Sequence, residues 1–253
     1  MARPQTPWVP EWSGARPSRR RLSADAIVAA GLEIMAADGV DAVTMRAVAT
    51  RLGTGPASLY AHVRDKRELH ELMLDEVFGE IEVPAADPEH WQEQLKECLR
   101  SIYAALGRHP GIALVNMAHV PLGPNALRCS EALLKICLAG GLTEEMAGLA
   151  TDLLTLYPTA VAFEDSIWYE RAKHSDWMHS EEAVFSRLGE YFGGVSEDLY
   201  PTIRAMAPFL VAGNGEDRFE FGLAVLIAGL DALKSWRPQA SSPKELQGRR
   251  AST

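Results

Sequence analysis

Residues 44–66 read TMRAVATRLGTGPASLYAHVRDK. Met45, Val48, Ala49 and Leu52 recur at spacings of three and four, which gives one apolar helix face, and Thr44 precedes it as a hydroxyl cap. Gly53 stops that helix. Gly55 and Pro56 open another, since proline suits a first turn whose N–H groups lack intrahelical partners. Leu59 and Val63 then point inward and leave Thr54, Ala57, Ser58, Tyr60, Ala61 and His62 outside. Small and hydroxylated residues beside a tyrosine and a histidine suit close approach to another molecule, where a helix built only for solubility would carry Glu and Lys. The stretch is a helix-turn-helix, and its second helix is the candidate reader of a DNA major groove.

Flanking helices complete a head. Ser23 caps a helix whose inner stripe is Ile27, Ala30, Gly31, Ile34 and Met35 and which ends near Asp38-Gly39. Asp65 caps a fourth helix, with Glu68 completing a D-x-x-E capping box and Leu69, Leu72, Met73, Val77 and Ile81 as its buried face. The head spans 22–82, and a larger helical body spans 83–236. Before the head lies an Arg/Pro-rich arm, 1–21, expected to be disordered, as is the polar tail 237–253. Arg19 to Arg21 either touch DNA or serve as a solvated tail, and the sequence leaves both readings open.

Charge follows the same division. Residues 1–67 hold 10 Arg/Lys and 6 Asp/Glu, a sum of +4, and the remainder of the −9 chain carries −13. A basic head on an acidic body fits a DNA-binding module fused to a regulatory domain. Cys98, Cys129 and Cys137 form no C-x-x-C pair, which favours a reduced, cytoplasmic setting. No run approaches 18 apolar residues, so no membrane span is expected.

The body reads as helices throughout. Trp91, Leu95, Cys98, Leu99, Ile102 and Leu106 form one long face that ends at His109-Pro110-Gly111. The longest candidate runs from Thr143 to about Ala172 across Pro158, where a kink or an unpaired carbonyl is expected. In the last helix, expected over 217–236, Phe219, Leu223, Leu226, Leu230 and Leu233 step as a 4-3 seam. With Leu153 and Tyr157 on the long helix, this seam is expected to form a four-helix dimer interface. The alternative is that both helices lie inside one chain's core.

Catalytic signatures are missing: there is no G-x-G-x-x-G, Walker loop, H-E-x-x-H or G-x-S-x-G. His174 and His179 are poorly spaced for one metal, Cys129 and Cys137 read as small buried hydrophobes, and adjacent Glu164 and Asp165 diverge on a helix. No enzyme activity, metal or cofactor is expected.

Residues 23–81 resemble the DNA-binding domain of TetR-family transcriptional regulators, on the L-G turn, S-L-Y, H-V and K-R-E-L at fixed spacing. WQEQLKECLRSIYAAL with H-P-G, and AVAFEDS, resemble the C-terminal domain of the tetracycline-repressor branch. The resemblance implies an all-α fold, with a three-helix DNA-binding head and a helical ligand-binding and dimerisation domain. It implies a homodimeric regulator, a repressor released from a palindromic operator on double-stranded DNA by a small organic effector. A helical adaptor that binds no specific DNA is the alternative, and an enzyme on a helical scaffold the less favoured one. Carried over, Arg46 would contact a base edge or phosphate; Thr44, Thr54, Tyr60, His62 and Lys66 would contact phosphate; Pro56, Ala57 and Ser58 would face base edges. At the places where tetracycline repressors hold drug and magnesium stand Glu82, Cys98, Ile102, Asn116 and Leu156, with only Glu164 matching, so magnesium–tetracycline is not expected. A pocket for another effector would draw on Cys98, Ile102, Tyr103, Asn116, His119, Tyr157, Val161, Phe163, Glu164 and Trp168.

Overall fold

The computed structural model describes residues 22–174, 181–213 and 215–236, with side chains from 169 to 182 left aside. The expectations for the arm, the tail and His179, and for the side chain of His174, lie outside the described residues. Within them the chain is helical, with no strand: α1 Ala24–Asp38, α2 Met45–Arg51, α3 Pro56–Leu59, α4 Lys66–Gly79, α5 Trp91–Arg108, α6 Ile112–Ala118, α7 Pro124–Ala139, α8 Glu144–His174, α9 Glu181–Gly194, α10 Pro201–Leu210 and α11 Gly215–Ala232.

The caps are where the sequence places them. Ser23 Oγ accepts from Ala26 N, Thr44 Oγ1 from Ala47 N, and Asp65 Oδ1 from Glu68 N. The capping box is displaced by one residue. Glu68 reaches back past Asp65 to the Arg64 N–H and also takes the Arg64 guanidinium, which together hold its carboxyl below the usual range. A 3₁₀ turn, Val40–Ala42, joins α1 to α2 and has no periodic signature of its own.

α4 packs on α1 in the head and on α5, α6 and α7 in the body. Its apolar side, Leu69, Met73, Leu74, Val77 and Phe78, is buried in one core that continues through Trp91, Leu95, Leu99 and Ile102 of α5 to Phe219 and Leu223 of α11. The expected division at 82/83 is therefore not a break in apolar contact.

Where α4 meets α7, each helix completes the other. Gly123 gives α7 no side-chain cap and Pro124 gives it no first N–H. The amides of Asn125 and Ala126 donate instead to Asp75 Oδ1 on α4, at 3.0 and 3.1 Å. Asn125 Nδ2 returns a bond to the Asp75 carbonyl at 3.1 Å, and a Cβ on Gly123 would stand 2.2 Å from the Asp75 carboxylate. In the other direction, Arg128 of α7 donates to the carbonyls of Phe78 and Ile81 at the end of α4, both at 3.0 Å. A carboxylate sits at a helix N-terminus and a guanidinium at a helix C-terminus, the favourable placements for each. The end of α4 is also tied to α5. Burial alone would raise the Glu80 carboxyl, but hydrogen bonds from His109 and Arg108 hold it below its usual range.

The last two long helices depart from expectation. Phe219, Leu223 and Leu230 are buried within their own chain, so three of the five seam residues are unavailable to a partner. The 4-3 spacing is satisfied by α5 and α8 of the same chain, and the Arg100 guanidinium clasps Glu220 at 2.6 and 2.7 Å to hold α11 on α5. Leu226 is partly buried; Leu153 and Leu233 are exposed. α8 continues through Pro158, which withholds an amide from the Leu154 carbonyl. Its stretch Glu144–Trp168 is long and apolar enough to cross a membrane, which single-residue runs did not reveal. One side of it packs against α5, α6, α7 and α11, while Leu149, Leu153 and Leu156 stay exposed.

Asp75→Ala removes a cap donated across the helix interface. It should cost about 2 kcal/mol and lower Tm by about 5 °C, read by thermal unfolding of the two proteins side by side.

Candidate nucleic-acid interface

The turn between α2 and α3 is fixed by its backbone. Gly53 takes φ +64°, its N–H donates to Thr50 O at 3.1 Å, and the Thr54 N–H donates to Ala49 O at 2.9 Å. This is the paired closure of a helix ending in a left-handed residue, which favours glycine at Gly53. Met45, Val48, Ala49, Leu59 and Val63 are buried beneath it, and Arg51 holds Glu33 of α1 at 3.0 Å.

On this frame the expected contact residues share the outer surface. Thr44, Arg46, Pro56, Ala57, Ser58, Tyr60 and His62 are exposed, and Thr54 and Lys66 are partly so. Tyr60 is 54% exposed, so about half of its ring is open to a partner molecule. Arg46 and Thr44 line one shallow cleft with Arg51. Thr44 accepts from Ala47 N, so its own hydroxyl proton is directed elsewhere. Lys66 is the first residue of α4, where a cation and helix N–H groups together suit a phosphate. The face thus combines cations, hydroxyls and an imidazole over an apolar base, and it lacks any carboxylate among these nine residues.

The effector residues read from sequence are only partly gathered. Tyr103 stacks on Phe219 at 4.3 Å and Tyr157 stacks on the same ring at 5.6 Å. Tyr103 donates to Asp165 at 2.5 Å, and Asn116 donates to Thr159 at 2.8 Å. The Tyr157 hydroxyl donates to the carbonyls of Arg218 and Phe219, which also turns its polar end inward rather than toward a partner chain. Cys98 and Ile102 are buried in the core, where burial pushes the Cys98 thiol up to about 12. Val161 and Phe163 pack at its edge, and Trp168 meets Phe185 of α9. Glu164 is exposed.

His119 belongs elsewhere. It lines a cavity of about 880 Å³ between α4 and residues 118–126, walled by Leu72 and Leu74 on one side and by Val120 and Leu122 on the other. Its ring meets that of His70 edge-on at 6.0 Å. His70 is 9% exposed and its Nε2 has no hydrogen-bond partner; burial, then Lys66 and His119, hold its pKa below the usual value. The sequence reading passed over Asp75, Asn125 and Arg128 as well as His70. The visible signal was G-P at 123–124, a helix start that cannot cap itself.

Two family models match the chain. The one described as "Bacterial regulatory proteins, tetR family" matches residues 27–73, and the one described as "Tetracyclin repressor-like, C-terminal domain" matches residues 83–234. The chain is 31% identical over 235 residues to the HTH-type transcriptional repressor DrrR1 of Streptomyces coeruleorubidus, covering 91% of this chain and 86% of that protein. It is 27% identical over 214 residues to the class A tetracycline repressor of transposon 1721 from Escherichia coli, covering 83% and 91%. The solved structure of Streptomyces coelicolor ActR in complex with actinorhodin superposes with a TM-score of 0.78 at 35% identity, covering 86% of this chain and 99% of that one.

Tyr60→Ala should separate folding from contact. Tm is expected to stay within about 2 °C, while affinity for bound duplex DNA falls about tenfold, measured by fluorescence anisotropy.

Proposed function

The chain belongs to the TetR family of transcriptional regulators, and from that membership we propose that it is a homodimeric repressor that leaves a near-palindromic operator when a small organic effector binds. It is a DNA-binding regulator and not an enzyme. The observation that carries the finer reading is the exposed set Thr44, Arg46, Ser58, Tyr60 and His62, with Lys66 partly exposed, on a turn closed by the Gly53 and Thr54 amides. Thr44, Thr54, Tyr60, His62 and Lys66 hold phosphates, which fixes register. Arg46 and Ser58 supply the polar reach to base edges, and Pro56 and Ala57 supply close apolar contact. With so few polar readers, sequence preference rests largely on half-site spacing and DNA shape.

Spacing requires two heads, and the body offers a face for a second copy. Leu149, Leu153 and Leu156 stand exposed on α8 at helical spacing, and Phe221 and Val225 stand exposed on α11. This face replaces the seam of Phe219, Leu223 and Leu230 as the proposed dimer contact. The two long helices of each chain would then make the four-helix contact, with the heads about 34–36 Å apart in successive major grooves. A dimer seated on a promoter blocks polymerase without further contacts, in the cytoplasm where the DNA is. The effector is placed in the body, against the polar and aromatic groups of Tyr103, Asn116 and Tyr157. It acts only through a difference in affinity between two positions of α4.

Two measurements decide this reading. Arg46→Ala should weaken binding to the protein's own upstream DNA by about 1–3 kcal/mol, and Lys66→Ala should reduce the salt slope by about 1. Unchanged binding in both would remove the assigned DNA contacts. Leu153→Glu with Phe221→Glu should convert the dimer to monomer in sedimentation at micromolar concentration, and an unchanged dimer would place the interface elsewhere.

A further inference from the structure

We propose that the cavity between α4 and the 118–126 segment is a small-molecule site of its own, distinct from the body interior, and that it takes lipophilic organic amines. It deepens the effector-controlled reading and, for its consequence at DNA, rests on it.

The cavity, about 880 Å³, is of a size that holds drug-sized ligands. Its walls are aliphatic: Leu72 and Leu74 from α4, and Val120, Pro121 and Leu122 opposite. Val120 and Leu122 are 75% and 71% exposed, so both are available to an apolar body.

The charged groups of the lining are mostly acidic. Arg67, Glu68, Glu71 and Asp75 at the rim bring one positive and three negative charges. Arg67 holds Glu71 at 3.0 Å, Arg64, outside the lining, holds Glu68 at 3.1 Å, and Asp75 is engaged by the α7 amides. His119 adds an acceptor. Its Nδ1 lies 3.0 Å from the Val115 carbonyl, which can only accept, so Nδ1 is the donor and Nε2 is the ring nitrogen left to accept. The edge-on contact with His70 holds that ring from its other side. The lining carboxylates outnumber the lining guanidinium, and among the described groups of the lining His119 Nε2 is the acceptor left without a partner. A ligand that fits brings N–H donors and positive charge on an apolar frame, which describes a protonated amine with aromatic or hydrocarbon rings. Carboxylates and phosphates meet the wrong charge.

Glu71 is the specific partner. Its ion pair with Arg67 is at the surface, with side chains 40% and 78% exposed, and such pairs are readily exchanged. An ammonium can take the place of the guanidinium while its rings lie against Leu72, Val120 and Leu122. One wall of the cavity is α4 itself, so a molecule seated there bears directly on the helix that carries the head.

The test is calorimetric titration of the full chain with imipramine, a tricyclic body bearing a protonated dimethylaminopropyl chain, and with iminodibenzyl, the same uncharged rings without that cationic chain. Imipramine should bind, iminodibenzyl about tenfold more weakly or less, and Glu71→Gln should weaken only imipramine, by about tenfold. Val120→Arg, at an exposed position, should weaken imipramine by at least about tenfold, and Asn116→Ala in the body should leave it within about twofold. No heat with imipramine up to about 1 mM, equal binding by wild type and both cavity variants, or loss only in Asn116→Ala would overturn the site. A gel shift on the upstream fragment reads the consequence: imipramine should release DNA from wild type and not from Glu71→Gln. Imipramine binding without any DNA retention would sink the regulator reading and leave the site standing. DNA retention with a flat titration would do the reverse.

Discussion

Helix ends need partners, and in this protein the most consequential pair is satisfied across a helix interface. Asp75 of α4 supplies the cap that α7 cannot make for itself, and Arg128 of α7 covers the carbonyls at the end of α4. The same α4 carries Leu69 and Met73 in the head's core and Phe78 against the body. Hydrophobic contact alone would tolerate small slides between these helices. Directional bonds from a carboxylate and a guanidinium fix α4 along its axis and in rotation. The position of the reading surface is therefore set by the body, through one helix held at its C-terminal half.

Charge is arranged to agree with that division. Carboxylates near the head are bound inside it: Glu33 by Arg51, Glu68 by Arg64, Glu71 by Arg67. Arg46 and Lys66 stand on the outer face beside hydroxyls. The strongly negative remainder of the chain is repelled by a phosphate backbone, which favours approach to DNA through the head. Few of the reading residues carry long polar side chains, which fits a surface that docks on the backbone more than it reads bases.

How much of this was legible in the sequence follows from how local each rule is. Ser23, Thr44 and Asp65 cap helices because a side chain three residues away can reach only one amide, and Gly53 ends α2 because few other residues accept its φ. The α5 stripe from Trp91 to Leu106 was equally plain, since its polar residues occupy the opposite face. α11 was ambiguous because it is apolar on nearly every side; periodicity shows that a seam exists, not which helix fills it. The seam went to α5 and α8 of the same chain, leaving Phe221 and Val225 outside. The α4–α7 caps were invisible for another reason. Asp75 and Asn125 are fifty residues apart, and no local rule joins them. The effector set was half gathered for the same cause: Tyr103 and Tyr157 converge on Phe219, while His119 turns to a different cavity.

The caps also limit how the head can be moved. Six nitrogen-donated hydrogen bonds join α7 to α4 and the residues just after it, four of them through Asp75 and two through Arg128, beside a weaker one from the Cys129 thiol to the Phe78 carbonyl. At about 1 kcal/mol or more each, losing all six costs on the order of 6 kcal/mol or more. A ligand of micromolar affinity binds with about 8 kcal/mol in total, and reversing a 99:1 equilibrium takes about 5.5 kcal/mol of difference between two states. A transition that broke the whole set would leave almost nothing to bias the equilibrium. α4 and α7 must then move as one piece, and the change has to fall at a boundary without such bonds. The contact of α4 with α6 and residues 118–122 is that boundary: it is made by aliphatic side chains, Pro121 and the His70–His119 edge. Sliding there exchanges one apolar contact for another at small cost, so it is where an effector, in the body or in the junction cavity, gains the most displacement of the reading surface for its differential affinity.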